Sequence, residues 1–147
     1  MKQKKQRRKV KKINWKQKAD ILWSLIIRLR SKQCQVCGKK AYITKKGLLV
    51  GGMNAHHIIG RGNWLFRHDL NNGHCLCVGC HKFNRARSPH AGSIVGITAY
   101  VDWFKDNCPK QWAWFDEHKY EKGKPPKPFE DIFHELEKRI ANKDYWP

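Results

Sequence analysis

The chain has 147 residues, enough for one domain with short extensions. Its 31 Lys and Arg outnumber its 12 acids, and a formal charge of +19 far exceeds what solubility requires, so we expect a polyanionic partner, namely nucleic acid. Residues 1–100 carry 22 of these cations against only Asp20 and Asp69. No run approaches the roughly twenty apolar residues of a spanning helix and no signal-peptide core follows the basic start, so no membrane partner is expected.

The chain begins with a basic segment and an amphipathic helix. Residues 1–18 hold ten basic residues and no acid, which predicts a tail that is disordered when free. We expect this tail to lie along DNA phosphates, and a merely solubilising or localising tail is the alternative. Residues 20–30 predict a helix that braces the core. Its apolar stripe comprises Ile21, Leu22, Leu25, Ile26 and Leu29.

The cysteines form two pairs at the spacing of tetrahedral zinc sites. Cys34 and Cys37 form the first Cys-x-x-Cys, and Cys77 and Cys80 form the second after a long insertion. This pattern predicts one four-cysteine structural zinc site in preference to disulfides, and hence a reducing, cytoplasmic compartment. Cys75 is the competing ligand within its own segment.

Short strands are expected between the two cysteine pairs. Residues 42–44 and 48–50 predict a hairpin, and residues 53–59 predict a further strand that carries His56 and His57. Residues 70–77 should lead into the second cysteine pair.

The second half of the chain is expected to be helical. Residues 80–87 predict a helix that holds His81 and is stopped by Ser88 and Pro89. A helix follows at residues 94–107, with Ile97, Tyr100, Val101 and Phe104 on its apolar face. Another is expected at residues 111–120, where the aromatic residues at helical spacing should pack in a core rather than stack on bases. Pro128 opens a last helix.

Histidines and one asparagine are grouped around the second cysteine pair. His57 lies fifteen residues before Asn72, and Asn72 lies nine before His81, which directly follows Cys80. A phosphodiester repels hydroxide, so its hydrolysis requires a nucleophile made near neutral pH and a cation that stabilises charge on the phosphate. Histidine, with an ordinary pKa near 6.5, is suited to activating water and to binding such a cation.

Residues 34–87 resemble the HNH (ββα-metal) nuclease family through this His-His strand followed by Asn-x-x-x-Leu-Cys-x-x-Cys-His. The resemblance implies an α+β fold, with a small zinc-stabilised ββα-metal core and flanking helices. It implies a tail at residues 1–18, a nuclease core with a brace helix at residues 19–92, and a helical extension at residues 93–147 that packs on the core.

The resemblance also implies roles for individual residues. His57 would be the general base, and Asn72 would hold the loop that aims it. His56 and His81 would bind one catalytic divalent cation, which could be Mg²⁺, Mn²⁺, Ni²⁺ or Zn²⁺. Some members supply a third ligand four residues after the second histidine, but this chain has Arg85 there, so the number of ligands stays open.

The implied activity is hydrolysis of DNA phosphodiester bonds to 5′-phosphate and 3′-hydroxyl ends. A longer pattern comprises His-His-Ile-Ile-Gly-Arg at positions 56–61, Leu-Asn-Asn at 70–72, Cys-x-x-Cys-His at 77–81 and a trailing Ser-Pro-His at 88–90. This pattern is similar, more loosely, to recombination endonucleases of the NinG type from lambdoid phages, which would imply branched DNA and a phage-infected or bacterial cell. A nickase with another substrate and a non-catalytic zinc module that only binds nucleic acid are the alternatives.

His68, His74 and His118 are expected at the surface or near DNA. The residues expected to contact DNA are Arg61, Arg67, Lys82, Arg85, Arg87, Lys4, Lys5, Arg7 and Arg8.

Overall fold

A computed structural model describes residues 12–43, 49–90 and 92–147 of the chain, and within them the fold mixes helices with two small antiparallel sheets. The elements in chain order are α1 (Trp15–Ser31), β1 (Tyr42–Ile43), β2 (Leu49–Val50), β3 (Met53–His57), β4 (Gly73–Cys77), α2 (Ile94–Asn107), α3 (Pro109–His118) and α4 (Phe129–Ala141). A 3₁₀ turn at Leu70–Asn72 precedes β4, and a short π-helical turn at Gly79–Phe83 follows it.

Helix α1 begins before the predicted end of the basic tail. The side chain of Asn14 accepts a hydrogen bond from the backbone N–H of Gln17 at 3.0 Å, and this N-cap starts the helix at Trp15. The expectation that the tail extends to Lys18 is therefore wrong for residues 15–18. Residues 1–11, which include the predicted DNA contacts Lys4, Lys5, Arg7 and Arg8, lie outside the described part.

The buried face of α1 is rotated from the predicted stripe. Trp23 and Ile27 are buried together with Ala19 and Ile26, whereas Ile21 is 59% exposed. The helix packs on α4 and on the β3–β4 hairpin, and the large indole ring of Trp23 turns toward that hairpin. The packing of Trp23, more than the periodicity of the aliphatic residues, therefore determines which face of α1 is buried.

The β3–β4 hairpin is the element around which the sites are built. Its antiparallel register places His56 opposite His74 and His57 opposite Gly73. Strand β3 ends at His57, two residues earlier than predicted. Because successive strand residues point to opposite faces, His56 turns toward α2 and His57 toward α1.

The helix predicted at residues 80–87 is only the short turn Gly79–Phe83. The backbone N–H of Asn84 donates to the carbonyl of Gly79 at 2.8 Å and closes this turn. The side chain of Asn84 then accepts from the N–H of Ala86 at 3.0 Å, which starts a separate turn. An asparagine that caps local turns ended the helix before Ser88 and Pro89 were reached.

The C-terminal helices pack on the same core as the hairpin. Helix α2 has the predicted bounds, but its buried residues are Gly96, Tyr100 and Phe104, while the expected core residues Ile97 and Val101 are exposed. The aromatic residues of α3 pack as predicted: Trp112 and Phe115 against Phe104, and Trp114 against Phe66. Ile132 and Leu136 bring α4 into the core. No helix within the described ranges is long and apolar enough to cross a membrane.

Candidate metal centres and their surroundings

Four cysteine thiols converge at one end of the β3–β4 hairpin. The Sγ atoms of Cys34, Cys37, Cys77 and Cys80 all lie within 4.8 Å of one another. Cys37 Sγ and Cys77 Sγ are 3.7 Å apart, close to the separation of about 3.8 Å that a tetrahedral zinc ion with Zn–S bonds of about 2.3 Å requires. The four cysteines predicted from the sequence are thus brought together and could hold a zinc ion.

The backbone around Cys34 and Cys37 forms a tight knuckle. Gly38 donates to the carbonyl of Cys34 at 2.8 Å, and Cys34 donates to the carbonyl of Lys39 at 2.8 Å. Gly38 adopts a φ of +72°, which explains why glycine follows the second cysteine of this pair. Gln35 joins the knuckle to β4, because its N–H donates to the carbonyl of Cys75 at 2.9 Å and its side chain accepts from the N–H of Cys75 at 2.7 Å.

The thiols differ in how easily they lose a proton. Burial raises the pKa of Cys37, but the N–H of Lys39 and the neighbouring thiols outweigh burial and lower that pKa to about 7. Burial raises the pKa of Cys34 and of Cys75, the latter to about 12. A cation is the natural counterpart for such a cluster, since metal binding is what holds buried cysteines as thiolates. Cys75 lies outside the cluster.

Three histidine rings form a second cluster on the α2 side of the hairpin. The ligand atoms of His56, His81 and His90 lie within 4.8 Å of one another, with His56 buried and His90 exposed. His56 Nδ1 and His90 Nε2 are 3.1 Å apart, near the ~3.3 Å edge of a tetrahedral site with Zn–N bonds of about 2.0 Å. His81 Nδ1 is buried and has no hydrogen-bond partner within the described part of the chain. The cluster could therefore hold a metal ion.

His90 reaches the cluster because two residues fix the loop after the π-helical turn. The hydroxyl of Ser88, which is fully buried, donates to the carbonyl of His81 at 2.7 Å and accepts from the N–H of His90 at 3.2 Å. At Gly96 a Cβ atom would lie 2.6 Å from the carbonyl oxygen of Arg85, so only glycine lets α2 approach this loop. The backbones of His81 and His90 are thereby tied together.

Burial keeps His56 and His81, two members of this cluster, neutral. It lowers the pKa of His56 well below its usual value, and the nearby rings of His81 and His90 lower it further. Burial also lowers the pKa of His81 to about 4, with contributions from His90 and Lys82. Neutral imidazoles are the form that binds metal.

His74 and Tyr100 close the inner side of the histidine cluster. Tyr100 contacts His56 edge-on, with ring centroids 5.3 Å apart, and its hydroxyl lies 2.7 Å from His74 Nδ1. His74 is fully buried, and burial lowers its pKa to about 3. The expectation that His74 lies at the surface is therefore wrong, because it faces the core across from His56 in the hairpin register.

His57 occupies the opposite face of the hairpin from the histidine cluster. Its ring stacks on Trp23 at 3.9 Å between centroids, with 15° between the planes. His57 Nε2 lies 3.0 Å from the carbonyl oxygen of Arg67, which can only accept, so Nε2 carries the proton and Nδ1 is the basic nitrogen. Burial lowers the pKa of His57 to about 4, so it is neutral at pH 7.

Asn72 fastens the loop between β3 and β4. It is fully buried, and its side-chain oxygen accepts from the N–H of Ile59 at 2.6 Å. Its amide nitrogen donates to the carbonyls of Ile59 at 3.0 Å and Phe66 at 2.9 Å. This loop also contains Arg67, whose carbonyl accepts from His57, so Asn72 holds the segment that orients His57.

The residues expected to contact DNA separate into two groups. Arg61, Lys82, Arg85 and Arg87 are exposed. Arg67 is only 8% exposed, and its Nε and Nη2 donate to the carboxylate of Asp20 at 2.7 and 2.8 Å. This placement favours a structural role for Arg67 over the expected phosphate contact, because the guanidinium is already used within the fold.

The Asp20 carboxylate also explains the position of His68. His68 Nε2 lies 2.8 Å from Asp20 Oδ1, and the His68 side chain is only 5% exposed, so its expected surface position is wrong. Burial raises the pKa of Asp20, but hydrogen bonds from Arg67 and His68 outweigh it and lower that pKa. His118, by contrast, is partly exposed and pairs with Glu121.

One ligand candidate, His90, was missed by the sequence reasoning. Its local signal was the Ser-Pro-His sequence at positions 88–90, but nothing in the spacing to His81 marks it as a ligand.

The chain also contains a cavity of about 320 Å³ lined by residues such as Trp64, His68 and Arg139. None of the three clustered histidines lines that cavity.

Comparison with known proteins gives no relative. The chain matches no protein-family model, no curated protein and no solved structure.

Proposed function

We propose that this protein is a metal-dependent HNH endonuclease that hydrolyses DNA phosphodiester bonds. The observation that carries the proposal is the cluster of His56, His81 and His90 beside the four-cysteine cluster, on a hairpin that also presents His57 and Asn72. Such a layout combines a closed cysteine site for structure with an open histidine site for chemistry. The resemblance of the sequence to the HNH family supports the same function.

The histidine cluster fits a borderline transition ion better than magnesium. Imidazole nitrogen suits ions such as Zn²⁺ and Ni²⁺, whereas Mg²⁺ prefers carboxylate, carbonyl and water oxygens. His56, His81 and His90 supply three nitrogens, and Arg85, at the position where a family ligand was considered, is exposed and cationic. We therefore narrow the expected cation from four candidates to Zn²⁺ or Ni²⁺. The bound cation would polarise the scissile phosphate and stabilise charge on it.

His57 is proposed as the group that takes the proton from water. The water oxygen would form a bond to phosphorus, His57 Nδ1 would accept the proton, and the bond from phosphorus to the 3′ oxygen would break. That oxygen would leave with a proton from solvent, giving a 3′-hydroxyl and a 5′-phosphate. Two observations support this role: Nε2 is committed to the carbonyl of Arg67, and His57 is the last residue of β3, where the strand pairing ends.

DNA would approach from the side on which His90 is exposed. Lys82 lies directly after the ligand His81, and Arg85 and Arg87 lie in the loop between His81 and His90. All three cations are exposed, so they are available to contact phosphates. Nicking of duplex DNA and cleavage of branched DNA are both consistent with this surface.

A zinc module that only binds nucleic acid is the alternative function. The stacking of His57 on Trp23 favours this alternative, because it places the proposed base on the face opposite the histidine cluster. The two functions differ in one consequence, since a binding module would not require His90 for any reaction.

Replacement of His90 tests the proposal. His90 is exposed, so His90→Ala should leave the fold intact, and His118→Ala is a matched control outside the cluster. Loss of one ligand should remove several kcal/mol of transition-state stabilisation and lower cleavage of supercoiled plasmid by about 10²-fold or more. DNA affinity should change little. Equal cleavage by the two variants would contradict the proposal, and so would a parental protein that cleaves neither plasmid nor a branched oligonucleotide with any of the four cations.

A further inference from the structure

The brace helix α1 contacts the proposed base directly. The indole ring of Trp23 on α1 lies 3.9 Å from the His57 ring and is almost parallel to it. Trp23 is itself fixed, because it is 1% exposed and its Nε1–H donates to the carbonyl of Asp69 at 2.9 Å. The His57 ring therefore rests against a surface that cannot easily rotate.

Gly73 makes this contact sterically feasible. It lies opposite His57 in the hairpin register, and a Cβ atom there would be 2.5 Å from Cδ1 of Ile27 and 3.0 Å from Cζ2 of Trp23. Side-chain carbons do not approach that closely, so any other residue would force Ile27, and with it the contact of α1 with the hairpin, to shift. Gly73, the neighbour of His57 across the hairpin, thus leaves the space that Trp23 occupies.

Asp20, one turn before Trp23, restrains the His57 ring indirectly, through Arg67. Its carboxylate accepts two hydrogen bonds from the guanidinium of Arg67, and the backbone carbonyl of Arg67 accepts from His57 Nε2 at 3.0 Å. Arg67 is anchored through its side chain, and its own carbonyl is the group that His57 contacts. Because a bidentate carboxylate–guanidinium pair fixes both distance and direction, it holds that carbonyl in place.

We propose that α1 is a positioning element of the active site, in which Asp20 and Trp23 fix the orientation and tautomer of His57. Trp23 stops the ring from tilting, and Asp20, acting through Arg67, keeps the proton on Nε2 and leaves Nδ1 free to accept one. The inference rests on the proposed function for its catalytic consequence, but the tautomer itself is a property of the folded protein.

The tautomer is measured first, by ¹⁵N NMR of the imidazole nitrogens, with no DNA present. The parental protein should show His57 with Nε2 protonated. Asp20→Asn and Trp23→Leu should give mixed tautomers, because each removes one of the two restraints. Trp23→Phe retains an aromatic face and should keep most of the parental signal. Ile26→Val, a one-methyl change in the buried face of the same helix, is the control for general loosening of α1 and should leave the tautomer unchanged.

Cleavage kinetics then separate positioning from stability and from DNA binding. Residues that orient metal ligands from the second shell contribute about 10–100-fold to activity, and we expect an effect of the same order for Asp20, which acts on His57 through Arg67. We expect Asp20→Asn to lower kcat by such a factor without a change in KM, and Ile26→Val to change neither constant. Folded Asp20→Asn and Trp23→Leu proteins with the parental tautomer, or with an effect no larger than that of Ile26→Val, would overturn the inference. The tautomer result stands independently of whether the parental protein cleaves DNA, so a failure of the proposed function is distinguishable from a failure of the positioning.

Discussion

The cysteine cluster and the histidine cluster share one segment of chain, since Cys80 and His81 are adjacent. They differ in how far their members are buried from solvent. The cysteine cluster draws on two knuckles forty residues apart and has three buried members. The histidine cluster has one buried, one half-buried and one exposed ring. Four protein ligands saturate a tetrahedral ion, whereas three leave a position for water or phosphate. One segment can thus contribute to a closed cluster and to an open one, because the neighbouring side chains of Cys80 and His81 point to different partners.

The largest expected effect is loss of the cysteine cluster. Cys80→Ser should release bound zinc and unfold the domain, because zinc binding to such sites is worth about 10–16 kcal/mol and becomes folding free energy. Zinc analysis with circular dichroism measures both changes. Cys108→Ser is the matched control, since its thiol lies outside the cluster. A folded Cys80→Ser protein that still carries zinc would show that these ligands are misassigned.

Replacing His57 should affect catalysis rather than metal content. His57→Ala should lower the cleavage rate by ~10²–10⁴-fold, as expected for a lost general base, while both metals and DNA affinity are retained. The assay is single-turnover cleavage at pH 7.5, where the parental ring is neutral because burial lowers its pKa to about 4. Near-parental rates in a folded variant would remove His57 from the mechanism and favour the non-catalytic alternative.

The buried side chain of His74 should make the free energy of unfolding depend on pH. Its pKa is lowered to about 3 in the folded chain and is near 6.5 in the unfolded chain, so unfolding takes up a proton between these values. The contribution of His74 to the free energy of unfolding should fall as the pH falls from about 6.5 toward 3, by up to ~1.4 kcal/mol per pH unit.

Urea unfolding across this pH range measures that slope. His74→Gln removes the titrating group, so its unfolding free energy should depend less on pH than that of the parental protein. Parallel pH dependence of the two proteins would contradict the assignment.

The smallest expected effect concerns the basic start of the chain. Because α1 begins at Trp15, the deletion that spares the helix removes residues 1–11, with seven of the ten basic residues of the expected tail. If a third to a half of them contact phosphates, the slope of log K against log salt should flatten by about two to three units. Fluorescence anisotropy over a salt series, with full-length and shortened protein, measures it. An unchanged slope would mean that the segment does not contact DNA.

Local spacing predicted the parts of the site that depend on neighbouring residues. The two Cys-x-x-Cys pairs were identified because metal ligands at that spacing belong to one turn of backbone, and the structure brings the four thiols together. The glycine after Cys37 and the bounds of α2 were readable for similar local reasons.

Tertiary contacts account for what the sequence did not predict. His90 joins His81 only because Ser88 hydrogen-bonds to both backbones and Gly96 lets α2 pack against the loop. Arg67 looked like a surface cation because its partner Asp20 is 47 residues earlier in the chain. No periodicity within α1 shows that Trp23 faces the hairpin, because Gly73 on a distant strand creates the room for it.

A metal titration coupled to plasmid cleavage tests the central claim, that the two clusters bind separate ions with separate tasks. The protein is treated with a mild chelator, its remaining zinc is quantified, and Zn²⁺ or Ni²⁺ is then added stepwise while nicking is followed. The account predicts a folded, inactive protein that retains one zinc ion per chain and regains cleavage as a second ion binds, with no recovery in His90→Ala. Full cleavage with one ion per chain, or no cleavage after a second ion has bound, would contradict it.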